Sequence, residues 1–142
     1  MTDSSSDTLT RPATVAGVLT ETDAVANLPV RNMALARDFY ESTLGFEPVA
    51  TMGDELVSYR SGGSRFNVYR SDYAGTNRAT ALTWAVGDRV EQVARTLAAK
   101  GITFEHYDLP GMTRDGDVHA GEGVKVAWFK DPDGNILNIV SG

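Results

Sequence analysis

The chain repeats itself. Leu28 and Trp84, Val30 and Val86, Asn32 and Asp88, and Gly45 and Gly101 each lie 56 residues apart. One offset carried through an apolar strand, a helix cap and a helix stop restricts the fold to two copies of one supersecondary unit. In the first copy, Ala26, Leu28 and Val30 alternate with Val25, Asn27, Pro29 and Arg31, which is strand periodicity. Pro29 has no N–H to donate, so this strand belongs at an edge or an irregular point. Asn32 is a helix-capping residue. Ala36, Phe39, Tyr40 and Leu44 then recur at helical spacing until Gly45 ends the helix. Strand-like runs follow over 46–50, 55–60 and 65–69, separated by Gly53-Asp54 and Ser61-Gly62-Gly63-Ser64.

The second copy begins after a polar link over 71–78. Leu82, Trp84 and Val86 alternate with Ala81, Thr83 and Ala85, and the parity puts Trp84 on the helix side. Asp88 and Glu91 form a capping box. Val90, Val93, Ala94 and Leu97 make the apolar stripe of a helix that Gly101 stops. Further strands are expected over 102–107, 124–129 and 136–140. Asp131-Pro132-Asp133-Gly134 is a turn, with proline presetting φ and glycine accepting a positive one. Asn67 and Asn138 stand at equivalent places in the last strand of each copy, but 71 residues apart. Fifteen extra residues therefore enter the second copy before its last strand. The natural place is 108–123, with Gly111, Gly116, Gly121 and Gly123, and it reads as a mobile lid. The organisation expected is a flexible tail over 1–22 and one domain over 23–142, with module one at 23–70 and module two at 79–141.

Charge and composition remove several function classes. Thirteen basic and nineteen acidic residues give a net charge of −6, which disfavours nucleic acid and anionic membrane surfaces. No apolar run reaches the ~18 residues of a membrane span. The absence of cysteine removes disulfides and thiolate chemistry. The N-terminus, Met1-Thr-Asp-Ser-Ser-Ser-Asp-Thr, has neither a basic nor an apolar leader region, so a soluble cytoplasmic protein is expected.

The segments Leu28-Pro29-Val30-Arg31-Asn32, Ala36-Arg37-Asp38-Phe39-Tyr40, Leu44-Gly45-Phe46, Val86-Gly87-Asp88, Ala99-Lys100-Gly101-Ile102 and Phe129-Lys130-Asp131-Pro132-Asp133-Gly134-Asn135 carry a resemblance. Over about residues 24 to 140 the chain resembles the vicinal oxygen chelate superfamily, which includes glyoxalase I, extradiol dioxygenases, fosfomycin-resistance proteins and bleomycin-binding proteins. The resemblance implies an α+β fold in which two βαβββ modules form a curved mixed sheet around a cup. It also implies a homodimer in which both chains often complete the cup.

The family's metal enzymes place ligands in the first strand of each module, seven residues before the helix cap, and in its last strand. Here those positions are Val25, Ala81, Asn67 and Asn138. Two hydrocarbon side chains and two neutral amides offer no divalent site, so neither metal nor cofactor is expected. Asn67 and Asn138 offer donors and an acceptor to a polar ligand, and Asn27, Arg31, Arg65 and Tyr69 share the cup-facing parity. The set expected to touch ligand is Val25, Asn27, Arg65, Asn67, Tyr69, Ala81 and Asn138. His106 beside Asp108, and His119 near Glu122, are candidate acid–base or metal groups. The reading favoured for them is a half-exposed strand end for His106 and a solvated loop residue for His119. Trp128 has no assignable face. The expected function is a metal-independent binding protein that sequesters a hydrophobic or aromatic metabolite or antibiotic. The alternative is a glyoxalase-like enzyme of the lyase, isomerase or dioxygenase class. It would use Tyr69, His106 or a carbonyl polarised by asparagine, or a metal on relocated ligands such as His106, His119 and Glu122.

Overall fold

Strand alternation sends Leu28 and Val30, Val57 and Tyr59, and Phe66 and Val68 to one side of a sheet, where all six are buried. In this computed structural model, which describes residues 18–142, they come from β1 (Ala26–Val30), β3 (Leu56–Ser61) and β4 (Ser64–Arg70). With β2 (Pro48–Met52) the sheet order is β1-β4-β3-β2, and β1 runs parallel to β4. Pro29 is tolerated because β1 is an edge strand. Asn32 caps α1 (Met33–Arg37), its Oδ1 accepting the Leu35 N–H at 3.0 Å. The expected continuous α-helix widens into a π-helical turn over Asp38–Thr43, where the Leu44 N–H reaches the Phe39 carbonyl. Of the expected 1–22 tail, 1–17 lies outside the described residues, and 18–22 forms an exposed turn.

Module two follows the same plan with three departures. Its sheet runs β5 (Thr80–Ala85), β10 (Ile136–Val140), β9 (Val124–Lys130), β8 (Val118–Gly121), β7 (Thr113–Asp115), and the short β6 (Phe104–Glu105) also pairs with β9. First, segment 108–123 is no loose lid. Its core is the β7–β8 hairpin, closed by the two-residue loop Gly116-Asp117, and β8 docks on β9. Second, Asp88 caps nothing. It lies in a 3₁₀ turn over Gly87–Arg89, and α2 (Val90–Ala99) starts from Arg89 without a side-chain cap. The Glu91 carboxylate instead bonds Lys125 of β9. Third, the β5–β10 register shifts between Ile136 and Leu137. Thr80 faces Ile136, Leu82 faces Leu137, and Ala81 is left unpaired.

Backbone bonding runs within each module, giving mixed sheets of four and six strands in the expected α+β architecture of two βαβββ modules. They share one hydrophobic core on the helix side. Trp84 stacks between Phe46 of module one (5.6 Å) and Phe129 of module two (6.4 Å), and its Nε1–H donates to Ser61 Oγ at 2.9 Å. A buried polar knot adds a second join. Tyr40 donates its hydroxyl to Asp131 Oδ2 at 2.8 Å. Asn135 Nδ2 donates to the same carboxylate and to the Pro29 carbonyl. The backbone N–H groups of Asp133 and Asn135 fill Asp131 Oδ1. Burial pushes the Asp131 carboxyl above its ordinary value, and the bonds from Asn135, Tyr40 and Asp133 pull it back. The Asp-Pro-Asp-Gly-Asn turn thus fastens module two to the π-helical turn and β1 of module one. No helix among the described residues is long and apolar enough to cross a membrane.

Candidate functional site

The face of each sheet opposite the core carries the polar and aromatic groups. On module one, β1, β4 and β3 place Asn27, Asn67 and Ser58 side by side. Ser58 Oγ donates to Asn67 Oδ1, Asn67 Nδ2 donates to Asn27 Oδ1 at 3.1 Å, and Asn27 Nδ2 reaches the Val25 carbonyl at 3.4 Å. Arg65 and Tyr69 flank Asn67 on the same strand face. Four of the seven expected residues, Asn27, Arg65, Asn67 and Tyr69, therefore gather on one face, and Val25, just before β1, meets them through its backbone carbonyl. Ser58 joins them and was missed. It is the register neighbour of Asn67, which alternation within single strands cannot reveal.

Module two presents a different surface at the equivalent places. Asn138 pairs with Thr83 on one side and Trp128 on the other, where module one has Asn27 and Ser58. Ala81 does not join it. The bulge turns its side chain to the hydrophobic core, so counting back from Asp88 fails by one residue. Phe129 and Ala127 are core residues, so Trp128 faces away from the helices. Its Nε1–H donates to Thr80 Oγ1 at 3.1 Å. Tyr107 and His119 meet the indole edge to face, with ring centroids at 5.2 and 5.0 Å.

His119 is a correction. The sequence predicts a solvated loop residue, yet His119 is 1% exposed on β8. The turn over 109–112 closes against β8 at Gly121, where any Cβ would overlap the Gly111 carbonyl. His119 Nε2 accepts the Tyr107 N–H at 3.0 Å, which leaves the proton of the neutral ring on Nδ1. That Nδ1 and the Asn138 Oδ1 are buried without a hydrogen-bond partner. The signal for this hairpin was the Asp115-Gly116-Asp117 turn between short runs of alternating residues. His106 pairs with Asp117 at 2.8 Å and not with Asp108, because the hairpin loop folds back beside it.

Beside the aromatic corner lies a cleft of about 540 Å³. Trp128, Tyr107, Leu109 and Ile136 form its wall, and Arg78 of the inter-module link and Lys130 stand at its rim. No acidic residue lines it. A second hollow of about 270 Å³ is lined by His106, Tyr107, Met112, Arg114 and His119, among others.

A resident divalent ion does not fit the four positions at which the family's metal enzymes carry ligands. Val25 and Ala81 offer no lone pairs, Thr80 one residue earlier offers only a neutral hydroxyl that already accepts from Trp128, Asn67 Oδ1 is engaged by Ser58, and Asn138 supplies one neutral amide. The relocated set fares no better. His119 Nε2 is engaged by backbone, and no three His, Asp or Glu residues converge among the described residues.

Solved structures share this fold. The chain superposes on a lactoylglutathione lyase from Agrobacterium tumefaciens with a TM-score of 0.63 and 16% identity, over 84% of this chain and 92% of that one. A bleomycin-binding protein complexed with bleomycin gives 0.63 and 21%, over 84% and 98%. The fosfomycin resistance protein FosX from Mesorhizobium loti gives 0.61 and 11%, over 86% and 92%. No curated protein matches the sequence. Residues 22–139 match the sequence model of one family, and with two βαβββ modules around a shared core the chain belongs to the Glyoxalase/Bleomycin resistance protein/Dioxygenase superfamily.

Proposed function

We propose that the chain is a binding protein that needs no resident metal and sequesters an aromatic or hydrophobic small molecule on the face of module two opposite the helices. The observation that carries this reading is the corner of Tyr107, Trp128 and His119 beside a cleft of about 540 Å³. That volume suits a compact organic ligand. Thr80 holds the indole in place before any ligand arrives, which lowers the ordering cost of binding. His119 Nδ1–H and Asn138 Oδ1 are unpaired polar atoms on the same face. A structural neighbour is a bleomycin-binding protein complexed with bleomycin, which gives the fold a precedent for binding a small molecule. The opposite module leaves Val25 at 44%, Val49 at 36% and Met52 at 68% exposed, which is apolar surface that a second copy of the chain would cover.

The test is a thermal-shift screen of metabolites and antibiotics, bleomycin among them, with and without EDTA. A specific ligand adds about 2.7 kcal/mol of stability at a hundredfold excess over its Kd. That gain should survive EDTA and vanish in Trp128→Ala. A ligand that binds only after metal is added would overturn the proposal. The second reading, a metal-free enzyme, draws on the His106–Asp117 pair at the mouth of the smaller hollow. Turnover that survives EDTA and is lost in His106→Gln would favour it.

A further inference from the structure

The charge around the larger cleft runs against the charge of the chain. The protein carries a net −6, yet this cleft has two cations at its rim and no acid in its lining. Lys130 is partly countered by Glu105 at 3.7 Å. Arg78 makes no hydrogen bond or ion pair among the described residues. Its backbone is nonetheless braced. Asn77 bridges over it to Ala79, Nδ2 donating to the Ala79 carbonyl and Oδ1 accepting the Ala79 N–H, each at 3.1 Å. Upstream, Gly75 sits so close to the Asp133 carbonyl that a Cβ there would lie 2.9 Å from it. An exposed guanidinium thus lines an aromatic-walled cleft from a braced backbone, without a counter-charge among the described residues.

We infer that the ligand of this cleft is a planar aromatic acid, with its ring on the Trp128–Tyr107 wall and its carboxylate on Arg78. Guanidinium matches carboxylate in a two-bond fork, and Arg78 has its donors free for it. The inference rests on the binding function proposed above and adds the charge of what is bound. A cationic aromatic would meet Arg78 and Lys130 as like charges. A neutral one would leave the rim unused.

Three matched probes separate the two levels of the claim: 2-naphthoate, 2-naphthamide and 2-naphthylmethylammonium, each titrated into the ¹⁵N-labelled protein. The chain has two tryptophans, so two indole N–H signals are available. Trp84 is tied to Ser61 in the core and serves as the internal reference. The expected result is that 2-naphthoate shifts the Trp128 signal and leaves Trp84 alone. Its Kd should be roughly fivefold or more below that of 2-naphthamide, with the ammonium weakest. Arg78→Gln should bring 2-naphthoate to the level of the amide without changing the amide. Equal binding of acid and amide to the wild type, or equal weakening of both in Arg78→Gln, would overturn the charge assignment and leave the aromatic cleft standing. If no probe moves Trp128, the cleft itself is not the site and both claims fall.

Discussion

Asp131→Ala tests whether the buried knot holds the two modules together. The carboxylate accepts four bonds, from the Tyr40 hydroxyl, Asn135 Nδ2, and the backbone N–H groups of Asp133 and Asn135. Removing it strands the Tyr40 hydroxyl and two turn N–H groups, whereas Asn135 keeps the Pro29 carbonyl. Bonds to a charged acceptor are worth ~1.5–3 kcal/mol each. Part of that sum is offset because the buried carboxylate is itself unfavourable, the largest influence on its titration. A net loss of about 3 kcal/mol is expected, or a fall of about 10 °C in Tm for a domain of this size. Urea denaturation gives the free energy and calorimetry the midpoint. Tyr40→Phe removes one bond to the charged acceptor and should lose ~1.5–3 kcal/mol. Glu91→Gln, which breaks the exposed pair with Lys125, should leave the midpoint where it was. If Asp131→Ala stays within ~1 kcal/mol of wild type, the turn is not a fastener and the reasoning fails.

Gly121→Ala forces a methyl onto the Gly111 carbonyl and Met112, so the turn over 109–112 must shift. A loss of ~1–3 kcal/mol and faster amide exchange at Tyr107 are expected, and wild-type exchange there would contradict the cover over His119. Gly75→Ala meets both a positive φ of +82° and the Asp133 carbonyl, and should weaken 2-naphthoate binding by displacing the link that carries Arg78. Arg37 holds the Glu41 carboxyl below its ordinary 4.5, helped by the Tyr59 hydroxyl. Its contribution is therefore complete above pH 4.5 and is lost as pH falls through the lowered value. The stability gap between wild type and Glu41→Gln, read from urea midpoints across acid pH, should close in that window; a gap that widens would reverse the sign.

Much of the architecture is written in local chemistry. The Asn32 cap, the stop at Gly101 and the Asp-Pro-Asp-Gly turn all depend on neighbours in sequence, and all appear in the fold. The face of Asn67 was legible for the same reason, since β4 is a regular strand. What escaped depends on partners distant in sequence. Ala81 turns inward because β10 imposes a shifted register. Asp88 loses its cap because the chain enters α2 through a 3₁₀ turn. His119 is buried because β8 docks on β9 and a glycine lets the turn over 109–112 close upon it. Trp128 could be placed only once β9 was paired on both edges.

The turn that fastens the halves also ends one side of the cleft, through Gly134. Cohesion and recognition therefore draw on the same few bonds. Damage to the fastener should appear first as a drifting ligand contact, at temperatures where the protein is still folded. A bound guest, in return, would splint the seam between the halves and slow their separation.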